Sequence, residues 1–156
     1  AEDIALFYRE HHGLNLTGIR LPLVFGPGLW YNGVANQIRE VFDIAVQKTS
    51  VELELAIEPI ELMYVKDVAK AFVHAATYDG PLEPIYNLTA FSSGPVSIAE
   101  TLQNLLPDAN FKILPMETGE SYSSVNGDKL RRETGFSPDY DLAKACNDYI
   151  KELENI

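Results

Sequence analysis

The stretch of this 156-residue chain that carries most chemical information is Arg20-Leu21-Pro22-Leu23-Val24-Phe25-Gly26-Pro27-Gly28. An apolar, β-forming run ends there in a Pro/Gly loop. Pro22 withholds a donor from the strand ladder and leaves carbonyls free near its carboxyl end. Ligands of open α/β sheets gather outside the carboxyl ends of strands. The same residues also read as an ordinary strand-to-loop transition, and alone they do not separate the two readings. The other reactive residue types make no complete site. His11, His12, His74 and the single cysteine, Cys146, have no metal-ligand spacing. His74 reads as solvated on the polar side of a helix, and Cys146, within an apolar stripe, as a packed thiol. No G-x-G-x-x-G, P-loop or G-x-S-x-G occurs, and Ser92-Ser93-Gly94 reads as a loop. The acidic residues are scattered and suggest no catalytic pair.

The elements that must position this stretch follow from hydrophobic periodicity. Ile4, Phe7, Tyr8 and His11 share one side of a predicted helix over 1–12, stopped by Gly13. Leu16 to Phe25 reads as a strand buried on both faces. A helix is expected over 32–48, a half-exposed strand over 51–57 and a short strand over 60–65. The clearest helix follows, with Val65, Val68, Ala69, Phe72, Val73 and Ala76 inward and Lys66, Asp67, Lys70 and His74 opposite. Ile85 to Leu88 and Phe111 to Leu114 read as strands. Ser97 to Glu100 reads as a capping box opening a helix. Asp128 is expected to cap a short helix closed by Gly135, and Asp141 to cap the last, apolar-striped helix. Alternating helices and short strands make the fold class α/β.

Composition excludes several functions. Hydrophobic residues make up 46% and charged residues 22%, a globular balance. No apolar run approaches the roughly 20 residues that span a bilayer. Twelve Lys+Arg against 23 Asp+Glu give a formal charge of −11, a field that repels nucleic acid and anionic membrane surfaces. One cysteine and no secretion signal fit a cytoplasmic location. The sequons at Asn15 and Asn87 read as chance.

Five blocks, in order, give the chain its resemblance to a known family. They are Ala1-Glu2 with the helix to His12-Gly13-Leu14; Arg20 to Gly28; Tyr64-Val65-Lys66-Asp67-Val68-Ala69; Ile85-Tyr86-Asn87-Leu88 followed by Ser97-Ile98-Ala99-Glu100; and Asp128-Lys129-Leu130 through Gly135-Phe136 to Pro138. The chain resembles the C-terminal half of extended short-chain dehydrogenases/reductases, the NAD-dependent epimerase/dehydratase family. The resemblance implies the last Rossmann strands plus a small α/β substrate-binding domain. It allots residues 1–28 and 65–106 to the Rossmann side and 29–64 and 107–156 to the substrate-binding side.

It also implies roles. Leu21 and Pro22 would bind the cofactor, NAD or NADP, by lying against its nicotinamide. Leu23 and Asn32 would face the substrate, although Leu23 cannot donate the hydrogen bond that Asn gives there in several nucleotide-sugar relatives. Many such relatives carry a pyrophosphate-binding Arg where this chain has Ile60, flanked by Glu58 and Glu61. The family's Gly-rich loop, catalytic Ser/Thr and Tyr-x-x-x-Lys pair would all lie before Ala1. No catalytic residue is therefore expected in this chain, and none of the family's turnover from it alone. A sugar or sugar-derived small molecule is the expected substrate, and a homodimer the expected state of the complete enzyme. The alternatives are a non-enzymatic binding or scaffold module with the same partial fold, and an unrelated α/β domain.

Overall fold

The computed structural model describes residues 1–29, 35–119 and 121–155. Helix α1 (Glu2–His12) has acidic residues in its first turn and basic ones in its last, which suits the helix dipole. It ends at Gly13, whose φ of 64° is a left-handed cap. None of its residues is buried; Ile4, Phe7 and Tyr8 are open to solvent.

The expected single strand over 16–25 is in fact two, β1 (Gly18–Arg20) and β2 (Leu23–Phe25), separated by Leu21-Pro22. Pro22 cannot continue a ladder, and the chain passes there from one sheet to another. β1 pairs in parallel with β5 (Ile85–Asn87). β2 pairs in parallel with β4 (Ile60–Tyr64), which runs antiparallel to β6 (Phe91–Ser93). The expected burial on both faces also fails, since Phe25 alone of these six strand residues is buried. A third sheet joins β3 (Glu52–Ala56) to β7 (Lys112–Met116) in parallel.

Helices α2 (Ala35–Gln47), α4 (Pro95–Leu105) and α6 (Leu142–Glu154) close a first core over Phe25, Phe42, Leu55, Leu62, Tyr64 and Tyr149. A second core gathers Met63, Val68, Tyr86, Leu88, Leu130 and Phe136 between α3 (Val65–Thr77), β5 and α5 (Asp128–Thr134). β4 serves both: Leu62 and Tyr64 face the first core and Met63 the second, as strand alternation requires. Glu61 therefore shares the face of Met63.

Four local expectations are corrected. Ser92 and Ser93, expected in a loop, end β6 because they pair with Glu61 and Ile60 of β4. On α3 the buried residues are Asp67, Val68 and Ala71, while Phe72 and Val73 are 48% and 63% exposed. The reason is long-range: Asp67 accepts the backbone N–H groups of Asp139 at 2.8 Å and Tyr140 at 3.0 Å, which turns that side of the helix inward. α4 begins at Pro95 after Gly94, so Ser97 lies inside the helix. α5 follows Gly127, and Asp128 is its first helical residue. The caps at Gly135 and Asp141 are as expected, Asp141 accepting the N–H of Lys144 at 2.8 Å. Cys146 is fully buried in the first core.

Candidate functional site

The Leu21-Pro22 junction lies where the parallel pair β1–β5 ends. Arg20 stands opposite Asn87 in the register, and the Arg20 carbonyl takes the N–H of Leu88 at 2.9 Å. Beyond this point two grooves diverge, with Pro22 forming a wall of each.

The first, about 330 Å³, is lined by apolar groups of Leu23, Pro27, Leu29 and Val65 beside Gly26. Gly26 has φ 144°, and a Cβ there would come 2.5 Å from Cγ1 of Val65. Only glycine lets the loop close onto the start of α3. Close to Gly26 stands Tyr64, whose ring packs 5.5 Å from that of Phe25 and whose hydroxyl donates to Asp148 at 2.8 Å. Lys66 bridges Asp148 at 2.6 Å and Glu152 at 2.7 Å. Burial pushes the Tyr64 phenol up, and the neighbouring Asp148 carboxylate adds to the rise. For Asp148, burial works against ionisation, but hydrogen bonds from Lys66 and Tyr64 win and hold the carboxyl below its usual range. The phenol thus stays a neutral donor that pins α6 to the end of β4.

The second groove, also about 330 Å³, is lined by Arg20, Leu21, Glu61, Asn87, Thr89 and Val125 along with Pro22. Its polar groups come from three strands and the segment after β5. The Arg20 guanidinium is already engaged by Glu2, at 2.7 Å and 2.5 Å to the two carboxylate oxygens. This hydrogen bonding lowers the Glu2 pKa. Among the described residues Glu61 accepts one hydrogen bond, from Ser124 at 3.2 Å. Nearby, Glu58 takes the N–H groups of Thr118 at 2.6 Å and Gly119 at 3.0 Å, tying the segment after β7 to the β3–β4 connection. Burial opposes charge on Glu58, yet backbone N–H donors keep its pKa below the ordinary value.

Of the residues singled out in the sequence, Leu21 is 46% exposed and borders the second groove, Pro22 borders both, and Leu23 borders the first while pairing with Leu62. Asn32 lies outside the described residues. Ile60 is buried and borders neither groove. Periodicity did not bring Glu61, Asn87 and Thr89 together; the carboxyl end of β5 was a signal for Asn87 and Thr89, while Glu61, near the amino end of β4, had none. His74, expected to be solvated, is half-buried, with Nε2 at 3.1 Å from the Thr134 carbonyl and 3.0 Å from its hydroxyl, a tie between α3 and α5. Burial raises the Cys146 thiol to about 12, which suits a packed residue. A Tyr-x-x-x-Lys spacing occurs at Tyr140–Lys144, but the Tyr140 ring packs on Tyr64 with Lys144 above it at 4.7 Å, and neither residue borders a groove. Among the described residues no group of acidic, His or Cys side chains could hold a metal, and no helix is long and apolar enough to cross a membrane.

Residues 1–89, which include every groove residue named above except Val125, match the NAD dependent epimerase/dehydratase family. An uncharacterized epimerase/dehydratase of Staphylococcus saprophyticus is 24% identical over 98% of this chain and 51% of its own length. UDP-glucuronate 4-epimerase 6 of Arabidopsis thaliana is 26% identical over 96% of this chain and 36% of its own. The crystal structure of L-threonine dehydrogenase from Phytophthora infestans superposes with a TM-score of 0.83 at 21% identity, covering 99% of this chain and 53% of that one, which establishes the likeness of fold. The chain thus spans about half the length, or less, of these relatives.

Proposed function

Because the chain belongs to the NAD dependent epimerase/dehydratase family, we propose that it forms the substrate side of an NAD(P)-dependent epimerase, dehydratase or dehydrogenase acting on a sugar or sugar-derived small molecule. The observation that carries this reading is the Leu21-Pro22 junction, set at the carboxyl ends of β1 and β5 between two grooves. Named relatives act on a UDP-sugar acid and on an amino acid, so the family's chemistry is shared more widely than its substrates.

The residues present suit the nicotinamide end of the cofactor. Pro22 and Leu21 offer an apolar surface with no backbone donor at Pro22, against which a flat ring can pack without stranding a polar group. When bound, the nicotinamide accepts a hydride from a substrate carbon or returns one to it. This chain's own residues orient and exclude water: Leu23, Pro27, Leu29 and Val65 keep one groove dry, while Glu61, Asn87 and Thr89 offer hydrogen bonds in the other. We assign cofactor contact to Leu21 and Pro22 and substrate contact to Leu23 and Asn32. The proton-transferring Tyr/Lys pair and the phosphate-binding loop are assigned to the rest of the enzyme. Residues 1–28 and 65–106 are allotted to the Rossmann side and 29–64 and 107–156 to the substrate side. The complete enzyme is taken as a homodimer in the cytoplasm. The test is fluorescence titration of NADH and NADPH into the polypeptide that joins this chain to a dinucleotide-binding half. Saturable binding of one of them is expected, and binding of neither would end the reading.

A further inference from the structure

The second groove has a chemical character that narrows the substrate. Two charged residues line it, and one of them, Arg20, is paired within the chain. The Arg20 guanidinium lies bidentate on Glu2, which neutralises its charge and takes two of its five N–H donors. Glu61 projects from the Met63 face of β4, and among the described residues its one bond, from Ser124, leaves most of a carboxylate's acceptor capacity unused. Asn87 and Thr89 complete the polar lining, and neither side chain is hydrogen-bonded among the described residues. Ile60, beside Glu61, is buried and contributes no cation. A group entering this groove therefore meets a carboxylate, an amide and a hydroxyl. It meets no unpaired positive charge among the described residues.

Resting on the function proposed above, we infer that this groove takes a small, phosphate-free hydroxy compound, a polyol or amino alcohol, whose hydroxyl or ammonium donates to Glu61. A diphosphate brought to the same place would face Glu61 at close range, with Arg20, the one cation of the described lining, already neutralised by Glu2, and like charges there repel. The apolar groove on the other side of Pro22 would then hold the substrate's hydrocarbon part. Glu61 is the specificity-determining residue in this arrangement.

The test uses the polypeptide that carries this chain with a dinucleotide-binding half. NADH is titrated first; if it fails to bind, both the proposed function and this inference fall. With NADH bound, three probes follow in thermal-shift titrations: UDP, D-sorbitol and serinol. The inference expects no saturation by UDP below about 1 mM and saturation by at least one phosphate-free probe. Glu61→Gln, which keeps the shape and removes the charge, should weaken serinol about tenfold or more and change NADH affinity by a clearly smaller factor. Glu61→Arg should make UDP bind. Tight UDP binding by the natural sequence, no saturation by either phosphate-free probe, or Glu61→Gln that weakens NADH and serinol alike would each overturn the inference while leaving the nicotinamide assignment standing.

Discussion

The hydroxyl of Tyr64 donates to Asp148 across 2.8 Å, joining the last residue of β4 to the middle of α6 over a sequence separation of 84. Lys66, two residues further on, holds the same carboxylate at 2.6 Å. One acidic group thus fixes the strand end, the start of α3 and the last helix, and it does so directly beneath the loop at Gly26.

Replacing Asp148 by Asn should destabilise the fold by about 1–2 kcal/mol at neutral pH, the worth of a charge-assisted bond plus a partly orphaned phenol. The pH dependence follows from the shifts. The Asp148 pKa is lowered by its donors, so its contribution is full above the ordinary Asp value and is lost as pH falls through the lowered one. Lys66 is raised first by Asp148, so its contribution is full below the ordinary lysine value and is lost only as pH climbs beyond it. Urea unfolding of natural and Asp148→Asn proteins should therefore differ at pH 7 and converge in acid. A gap that stays constant into acid would show that Asp148 is not the titrating link.

Asp67 is expected to be the more damaging loss. It is 1% exposed and satisfies two backbone N–H groups of the segment entering α6. Asp67→Ala removes the acceptor of both part-buried donors, at about 1–3 kcal/mol in all. Asp67→Asn, which keeps one acceptor, should recover part of the stability. Equal stabilities of the two variants by urea unfolding would contradict the assignment.

The apolar surface of α1 and α3 carries a third expectation. Ile4, Phe7 and Tyr8 on one helix and Phe72 and Val73 on the other are each more than two-fifths exposed. A contiguous patch beyond ~300–600 Å² is unusual on a monomer. The 156-residue chain purified alone should self-associate at micromolar concentration by sedimentation, and Phe7→Glu with Phe72→Glu should shift it toward monomer. A monomer in both cases would mean that these faces are tolerated in water.

How much of this was legible in the sequence depended on whether the cause was local. Gly13, Gly135 and Asp141 acted where local chemistry said they would, because a cap is decided within one turn. The inward face of α3 was not legible. Periodicity located Phe72 and Val73, but Asp67 turned the helix toward acceptor-seeking amides 72 residues away. By sequence Pro22 interrupts a single strand, whereas in the fold it marks a change of sheet, which only pairing partners reveal. Leu21, Pro22 and Leu23 were reached through family resemblance. The meeting of Glu61 with Asn87 and Thr89 joins separate strands, and no spacing in the sequence encodes it.

The central claim is that the Leu21-Pro22 junction faces the nicotinamide. It is tested most directly by NADH dissociation constants of the polypeptide carrying this chain and a dinucleotide-binding half, measured for three proteins: the natural sequence, Pro22→Asp, and Glu154→Ala on the distal end of α6. A carboxylate placed against the ring surface should weaken NADH by more than about tenfold, since a charge buried beside an apolar face goes uncompensated. Glu154→Ala should match the natural protein. Equal constants for all three, with both variants folded by circular dichroism, would contradict the claim.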